Sequence, residues 1–293
     1  MKRKTKNIIG SFATAMLLLS VISSSTVSAK DNNVEANLVT QGIEFKMLDR
    51  SKLPTPILTS EQEKREHLDN LSRQAHEIWL KEKDMTAVND FYRENNCIVL
   101  TPDKNEALGE VASTNSDVSM PLPSVVYEMY SGHYIINASM QWNKTGTTPK
   151  WYSDHIAGGA GDAEVVGIGI GNGKETAFKN KGYLLFIEDK NDSTDSINVA
   201  MDWGNSGVIW RPQDAFSGST TLGTANYNID GYFGSLYVEY VGGNTQPLKI
   251  YHTYAHTWKT TGISGFSFET TGISISLSNN TYGWKTISGP KYW

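Results

Sequence analysis

Cysteine is almost missing from this 293-residue chain: Cys97 stands alone, so no internal disulfide can form. A chain without crosslinks depends on its core, on bound ions or on assembly. Cys97 precedes the apolar run Ile98-Val99-Leu100 and is expected to be buried as a small hydrophobe. Long hydrophobic runs are missing too. Beyond Ile22 nothing approaches the ~18 apolar residues of a membrane-spanning helix. Basic charge is scarce, with 26 Lys and Arg against 31 Asp and Glu and a net charge of −5. That balance excludes a nucleic-acid binder, which needs a basic face. Between Lys30 and Met120 the bulky polar aromatics nearly vanish, leaving only Trp79 and Tyr92.

The N-terminus has the order of a secretory signal peptide. Lys2, Arg3, Lys4 and Lys6 are followed by an apolar run from Ile8 to Ile22 and by the small-residue pattern Val27-Ser28-Ala29. Cleavage after Ala29 is expected, giving a secreted, extracellular protein. It would remove four basic and no acidic residues, moving the net charge from −5 to −9.

The remainder divides near residue 120. The stretch GEVASTNSDVSMPLPS, closed by Pro121 and Pro123, reads as a linker. Before it, residues 30–119 form a helical N-terminal segment, either a propeptide or a spacer that packs on the C-terminal region. Ser60 and Glu63 make a capping box, and Leu68, Leu71, Ala75 and Ile78 repeat as an apolar stripe. MTAVNDFYREN predicts a second, shorter helix. After it, residues 120–293 hold short runs rich in β-branched and aromatic residues, separated by Gly, Asn, Asp and Ser. No helical pattern interrupts them. The predicted fold is mainly β: an antiparallel sandwich or barrel-like domain preceded by a short α-helical segment.

YHTYAHTW carries His252 and His256 four residues apart. On a strand, Ile250, His252, Tyr254, His256 and Trp258 share one face, and the two imidazoles lie about 13 Å apart at ~3.3 Å per residue. One metal ion cannot span that distance, and the threonines around the pair oppose a helix. The two histidines therefore line an aromatic face and meet partners from other strands.

The glycine-rich stretch 158–173 satisfies neither the dinucleotide nor the P-loop spacing. Read as a strand, it puts Val166, Ile168 and Ile170 on one face and Gly167, Gly169 and Gly171 on the other. The bare face admits a ring or a flat ligand against the backbone. Asp154 and His155, with Asp162 and Glu164 nearby, form the best acid–base cluster for catalysis. Their partners would come from His133, His252 or His256.

The hairpin-like EDKNDSTDS offers Asp189, Asn191, Asp192 and Asp195 as oxygen donors suited to calcium, although the EF-hand pattern fails; no other cofactor is expected. Trp142, Trp151, Tyr152, Trp203, Trp210 and Trp258 lie beside polar loop residues, as surface plates for a sugar ring or a protein would. Residues 263–279 alternate apolar and polar along both arms of a hairpin, a pattern shared by half-buried hairpins and membrane-inserting ones.

Together these features read as a secreted binding module for extracellular glycan or cell-envelope polymer, more readily than as an enzyme. Two rival readings remain. One is a toxin or antimicrobial protein that contacts membranes through the C-terminal hairpin. The other is a hydrolase built on Asp154 and His155.

Overall fold

The computed structural model describes residues 43–45, 48–100, 117–145, 148–149, 164–171, 177–189, 194–197, 202–212, 216–217, 226–227, 229–242, 248–257, 261–269, 272–278 and 283–288. The signal segment and most of the linker lie outside these residues.

Helix α1 runs over Glu61–Glu82 and α2 over Met85–Glu94. The Ser60 hydroxyl accepts the Glu63 amide at 3.4 Å, the capping expected from the sequence. The two helices are separated by Lys83, in a left-handed conformation, and by Asp84, which caps α2.

The principal strands are β1 (Ile43–Phe45), β2 (Cys97–Val99), β3 (Ser124–Glu128), β4 (His133–Trp142), β5 (Val165–Gly171), β6 (Phe178–Asp189), β7 (Thr194–Ile197), β8 (Asp202–Gly204), β9 (Gly207–Trp210), β10 (Ile229–Tyr240), β11 (Leu248–Thr257), β12 (Ile263–Glu269), β13 (Gly272–Leu277) and β14 (Gly283–Ser288). All but β12 and β13, which pair with each other in a separate hairpin, form two antiparallel sheets. The first has the order β7-β6-β10-β4-β3-β2. In the second, β11 pairs with β5 on one side and with β1 and β14 on the other, and β5 continues to β9 and β8.

The sheets pack face to face, as the alternation of side chains requires. Tyr134, Ile136, Ala138 and Met140 of β4, with Tyr232, Leu236 and Val238 of β10, meet Val166, Ile168 and Ile170 of β5, Trp210 of β9 and Ile250 and Tyr254 of β11. Both outer faces are also covered. On the first sheet, Leu68, Leu71, Ala75 and Trp79 of α1 and Val88 and Tyr92 of α2 lie on Val126, Ile135, Leu184, Phe186, Phe233 and Tyr237. On the second, hairpin β12–β13 places Ile273 and Ile275 over Val165, Ile209 and Ala255. The molecule is thus a β-sandwich with a helical layer on one side and a hairpin on the other.

Residues 43–45 and 97–99, in the segment expected to be helical where it has any pattern, add β1 to the second sheet and β2 to the first. Strands of three residues are too short for a period-two pattern to show in sequence. Polar contacts clamp α1 to the first sheet. Trp79 Nε1 donates to Glu188 Oε1 at 2.7 Å, Lys83 donates to the same carboxylate, and Arg65 donates to the Tyr183 carbonyl at 2.8 Å. His67 lies 3.3 Å from the Glu128 carboxylate, which also accepts the amides of Tyr130 and Ser131. Cys97 is buried, and burial followed by the nearby Glu128 charge pushes its thiol pKa up to about 12. The thiol is inert.

Candidate functional site

Two clusters of chemistry-bearing side chains stand out among the described residues, one inside the sandwich and one at its edge.

The inner cluster centres on Glu164, which precedes β5. Its amide is held by the Pro212 carbonyl at 3.0 Å. His256 Nδ1 lies 2.5 Å from Glu164 Oε1, and Tyr232 of the opposite sheet donates its hydroxyl to Oε2. The Tyr254 hydroxyl faces the carboxyl as well and favours its charged form. Trp142 closes the group: its ring stands nearly perpendicular to His256, with centroids 4.9 Å apart. Glu164 is 1% exposed and the other four residues are likewise buried. The carboxyl therefore ties the two sheets together, away from bulk water.

His252 and His256 do share the inward face of a strand, with Tyr254 between them, as their spacing implies. His252 is fully buried, and burial pushes its pKa down to about 3. It is a neutral core residue. The pairing of Glu164 with His256 joins two groups 92 positions apart.

Burial pushes the Glu164 carboxyl up to about 7, against the opposing pull of the Tyr232 and Tyr254 hydroxyls. A carboxyl whose folded pKa lies above its ordinary 4.5 holds its proton more tightly when folded. Its contribution to stability is complete below 4.5 and is lost as pH rises through about 7. Glu164→Gln removes this titration. The native protein is expected to lose stability relative to that variant between about pH 5 and about pH 8, read as urea midpoints. Parallel midpoints across that range would refute the assignment.

The edge cluster centres on Trp203. Strands β8 and β9 form a hairpin across Asn205-Ser206, in which Trp203 pairs with Val208. Val208 points into the core, so Trp203 shares that inward face, but at the open edge of the sandwich, where it remains 59% exposed. Tyr183 of β6 lies behind it at 6.3 Å between centroids, and Trp210 stands edge-on to Tyr183 at 6.2 Å. This ladder runs from solvent into the core. Asn180 of β6 holds the hairpin tip: its side-chain amide donates to the Gly204 carbonyl at 3.3 Å and its backbone amide to Asn205 Oδ1 at 3.4 Å. The exposed indole is thereby fixed over a tied edge with side-chain amides beside it.

The six aromatics nominated from the sequence separate here. Trp203 is a surface plate. Trp142 and Trp210, 3% and 0% exposed, are core residues and cannot serve as binding plates. Their strands carry them to inward positions in the middle of the sheets, which the polar residues flanking them in sequence do not reveal. Trp151, Tyr152 and Trp258 lie outside the described residues, as do Asp154 and His155. The nominated calcium loop joins β6 to β7. Asn191 and Asp192 lie outside the described residues, and Asp189 and Asp195 are placed only as strand positions. Glu188, which opens that stretch, turns to Trp79 and Lys83 instead. Among the described residues no three His, Cys, Asp or Glu side chains are grouped to hold a metal ion. Tyr183 carried no local signal of its role, since only sheet packing brings it to Trp203.

The face of β5 stripped by its glycines is filled from within the chain. The Tyr251 ring lies over Gly171, and Ile273 lies over Gly167 and Gly169. Among the described residues no helix is long and apolar enough to cross a membrane.

No protein-family model matches the chain, and no curated protein matches it. A solved structure described as "pH-induced modulation of Streptococcus parasanguinis adhesion by Fap1 fimbriae" aligns with 66% of this chain and 94% of its own, at 10% identity and a TM-score of 0.29. A likeness at that score carries no conclusion about function.

Proposed function

We propose that the protein is a secreted, extracellular binding module that engages a glycan or cell-envelope polymer at the sandwich edge around Trp203. The observation that carries this reading is the 59% exposed indole of Trp203, set on a tied hairpin and backed by Tyr183. An indole held rigid before binding loses little conformational entropy on contact, and its face suits the C–H side of a sugar ring. Asn205 at the hairpin tip is exposed and its side-chain NH2 offers a donor to a sugar hydroxyl, while the Asn180 amide holds the tip in place. The signal-like N-terminus supports an extracellular location.

The test is a pull-down of the full mature chain on insoluble glycans and whole bacterial cell walls. Trp203→Ala is expected to lower retention by about tenfold, in line with a hot-spot aromatic worth more than ~1 kcal/mol. Trp203→Phe, which keeps a smaller plate, should lose less. Equal retention of all three proteins would remove Trp203 from the site and this reading with it.

A further inference from the structure

Trp203 brings more to the sandwich edge than its indole. Among the described residues, β8 ends the strand order of the second sheet, with β9 on one side and no strand on the other. The direction of the backbone groups along β8 follows from the bonding of its neighbours. The Ile170 amide of β5 donates to the Ser206 carbonyl at 2.8 Å, and Val208 lies opposite Ile168 in the same ladder. Bonding alternates along an antiparallel strand, so Ser206 and Val208 turn their backbone groups to β5, and Gly207 and Ile209 turn theirs to β8. Gly204 and Asp202, opposite Gly207 and Ile209, meet those groups. Trp203 stands opposite Val208. Its N–H and C=O therefore both leave the sheet at the open edge.

Edge strands are commonly blunted by proline or a bulge, and β8 has neither. Its one charge, Asp202, lies on the face opposite the indole. A Cβ on Gly204 would meet no atom within 4 Å, so the flank of the edge is open among the described residues. The strand is also held still, because Asn180 ties the Gly204 carbonyl and the Asn205 side chain.

We infer that the polymer engaged at Trp203 is a glycan that carries peptide, with a sugar ring on the indole and an extended peptide residue laddered onto β8. This rests on the polymer-binding reading above and names its ligand. An extended residue presents its N–H and C=O on one side, as Trp203 does, and so forms two bonds with it. A single acetamido group cannot, because the N–H and C=O of a trans amide point opposite ways. Both contacts belong to one residue, and a paired strand lies only about 4.8 Å away. A peptide attached directly to the sugar reaches both at once, and its second contact is then intramolecular.

The test uses the full mature chain bound to bacterial cell walls and eluted with soluble wall fragments. Three fragments are compared: a disaccharide with its peptide attached, the same disaccharide after an amidase has removed the peptide, and the free peptide. The intact fragment is expected to elute the chain at about tenfold lower concentration than either half. In parallel, hydrogen exchange of the Trp203 backbone amide is followed by nuclear magnetic resonance on chain isotopically labelled at tryptophan. That amide should exchange about tenfold more slowly with the intact fragment bound, and at its free rate with the disaccharide. The Trp210 amide, which β9 turns to β5, is the internal control and should not change. Equal elution by the disaccharide and the intact fragment overturns the peptide contact and leaves the sugar site standing. So does an unchanged Trp203 exchange rate with the intact fragment bound. Elution by the free peptide as strong as by the intact fragment overturns the inference from the other side, since the indole then adds nothing. A chain that does not bind walls, or binds them equally well as Trp203→Ala, removes the underlying reading too.

Discussion

A chain beginning at residue 117 is expected not to fold. Removing residues 30–116 strips α1 and α2 from the first sheet and takes β1 and β2 from the two sheets. Val126, Ile135, Leu184, Phe186 and Phe233, each no more than 3% exposed, would face water. At about 1.5–3 kcal/mol per buried apolar side chain, these five alone cost about 8–15 kcal/mol, as much as the whole stability of an ordinary domain. Polar losses add to this. Glu188 forfeits Trp79 and Lys83, and Glu128 forfeits His67. The truncated chain should show no near-ultraviolet dichroism, bind a hydrophobic dye and aggregate. If it instead unfolds cooperatively at the temperature of the longer chain, the N-terminal segment is a removable propeptide after all.

Gly207→Ala is expected to be the most damaging single exchange in the edge site. Gly207 has φ +141°, and a Cβ there would lie 2.2 Å from the Ile168 carbonyl oxygen, 2.8 Å from the Phe268 ring and 2.9 Å from the Gly169 Cα. The carbonyl and the Cα are backbone and cannot step aside. The β8–β9 hairpin must shift, and the Asn180 contacts at its tip shift with it. The expected loss is about 2–4 kcal/mol, lowering the melting temperature by about 4–16 °C. Trp203 moves with the hairpin, so retention on cell walls should fall as well. Gly204→Ala, three residues earlier, is the control. Nothing lies within 4 Å of its Cβ position, so it should melt near the native temperature. Equal melting of the two variants would show that β8–β9 is not fixed as described.

Helix α1, on which the first of these outcomes depends, is legible directly in the sequence. Ser60 caps it, and Leu68, Leu71 and Ala75 stripe it, because helix periodicity and capping act within a few residues. The strand character of residues 250–257 is equally legible. Their alternation places His252, Tyr254 and His256 inward together, as the strand spacing requires. The glycine face of β5 is legible as a vacancy, but not the identity of Ile273 as its occupant, which comes from a hairpin roughly a hundred residues away.

The aromatic residues mark the boundary most clearly. Trp142 stands between Gln141 and Asn143, Trp203 between Asp202 and Gly204, and Trp210 before Arg211, yet two lie in the core and one at the rim. Their fate depends on where their strands lie in the sheets. Trp210 ends β9, between β5 and β8, while Trp203 lies on β8 at the edge of the sheet. Glu164 offers the same lesson: nothing local pairs it with His256 and Tyr232, which come from two later strands and from both sheets. By itself the sequence determined the helices and the longer strands, their buried faces and the class of fold, because periodicity and capping are short-range effects. Which tryptophan reaches solvent, which carboxyl loses its water and which hairpin stays outside the sheets were decided only by tertiary structure. Burial depends on contacts between residues distant along the chain.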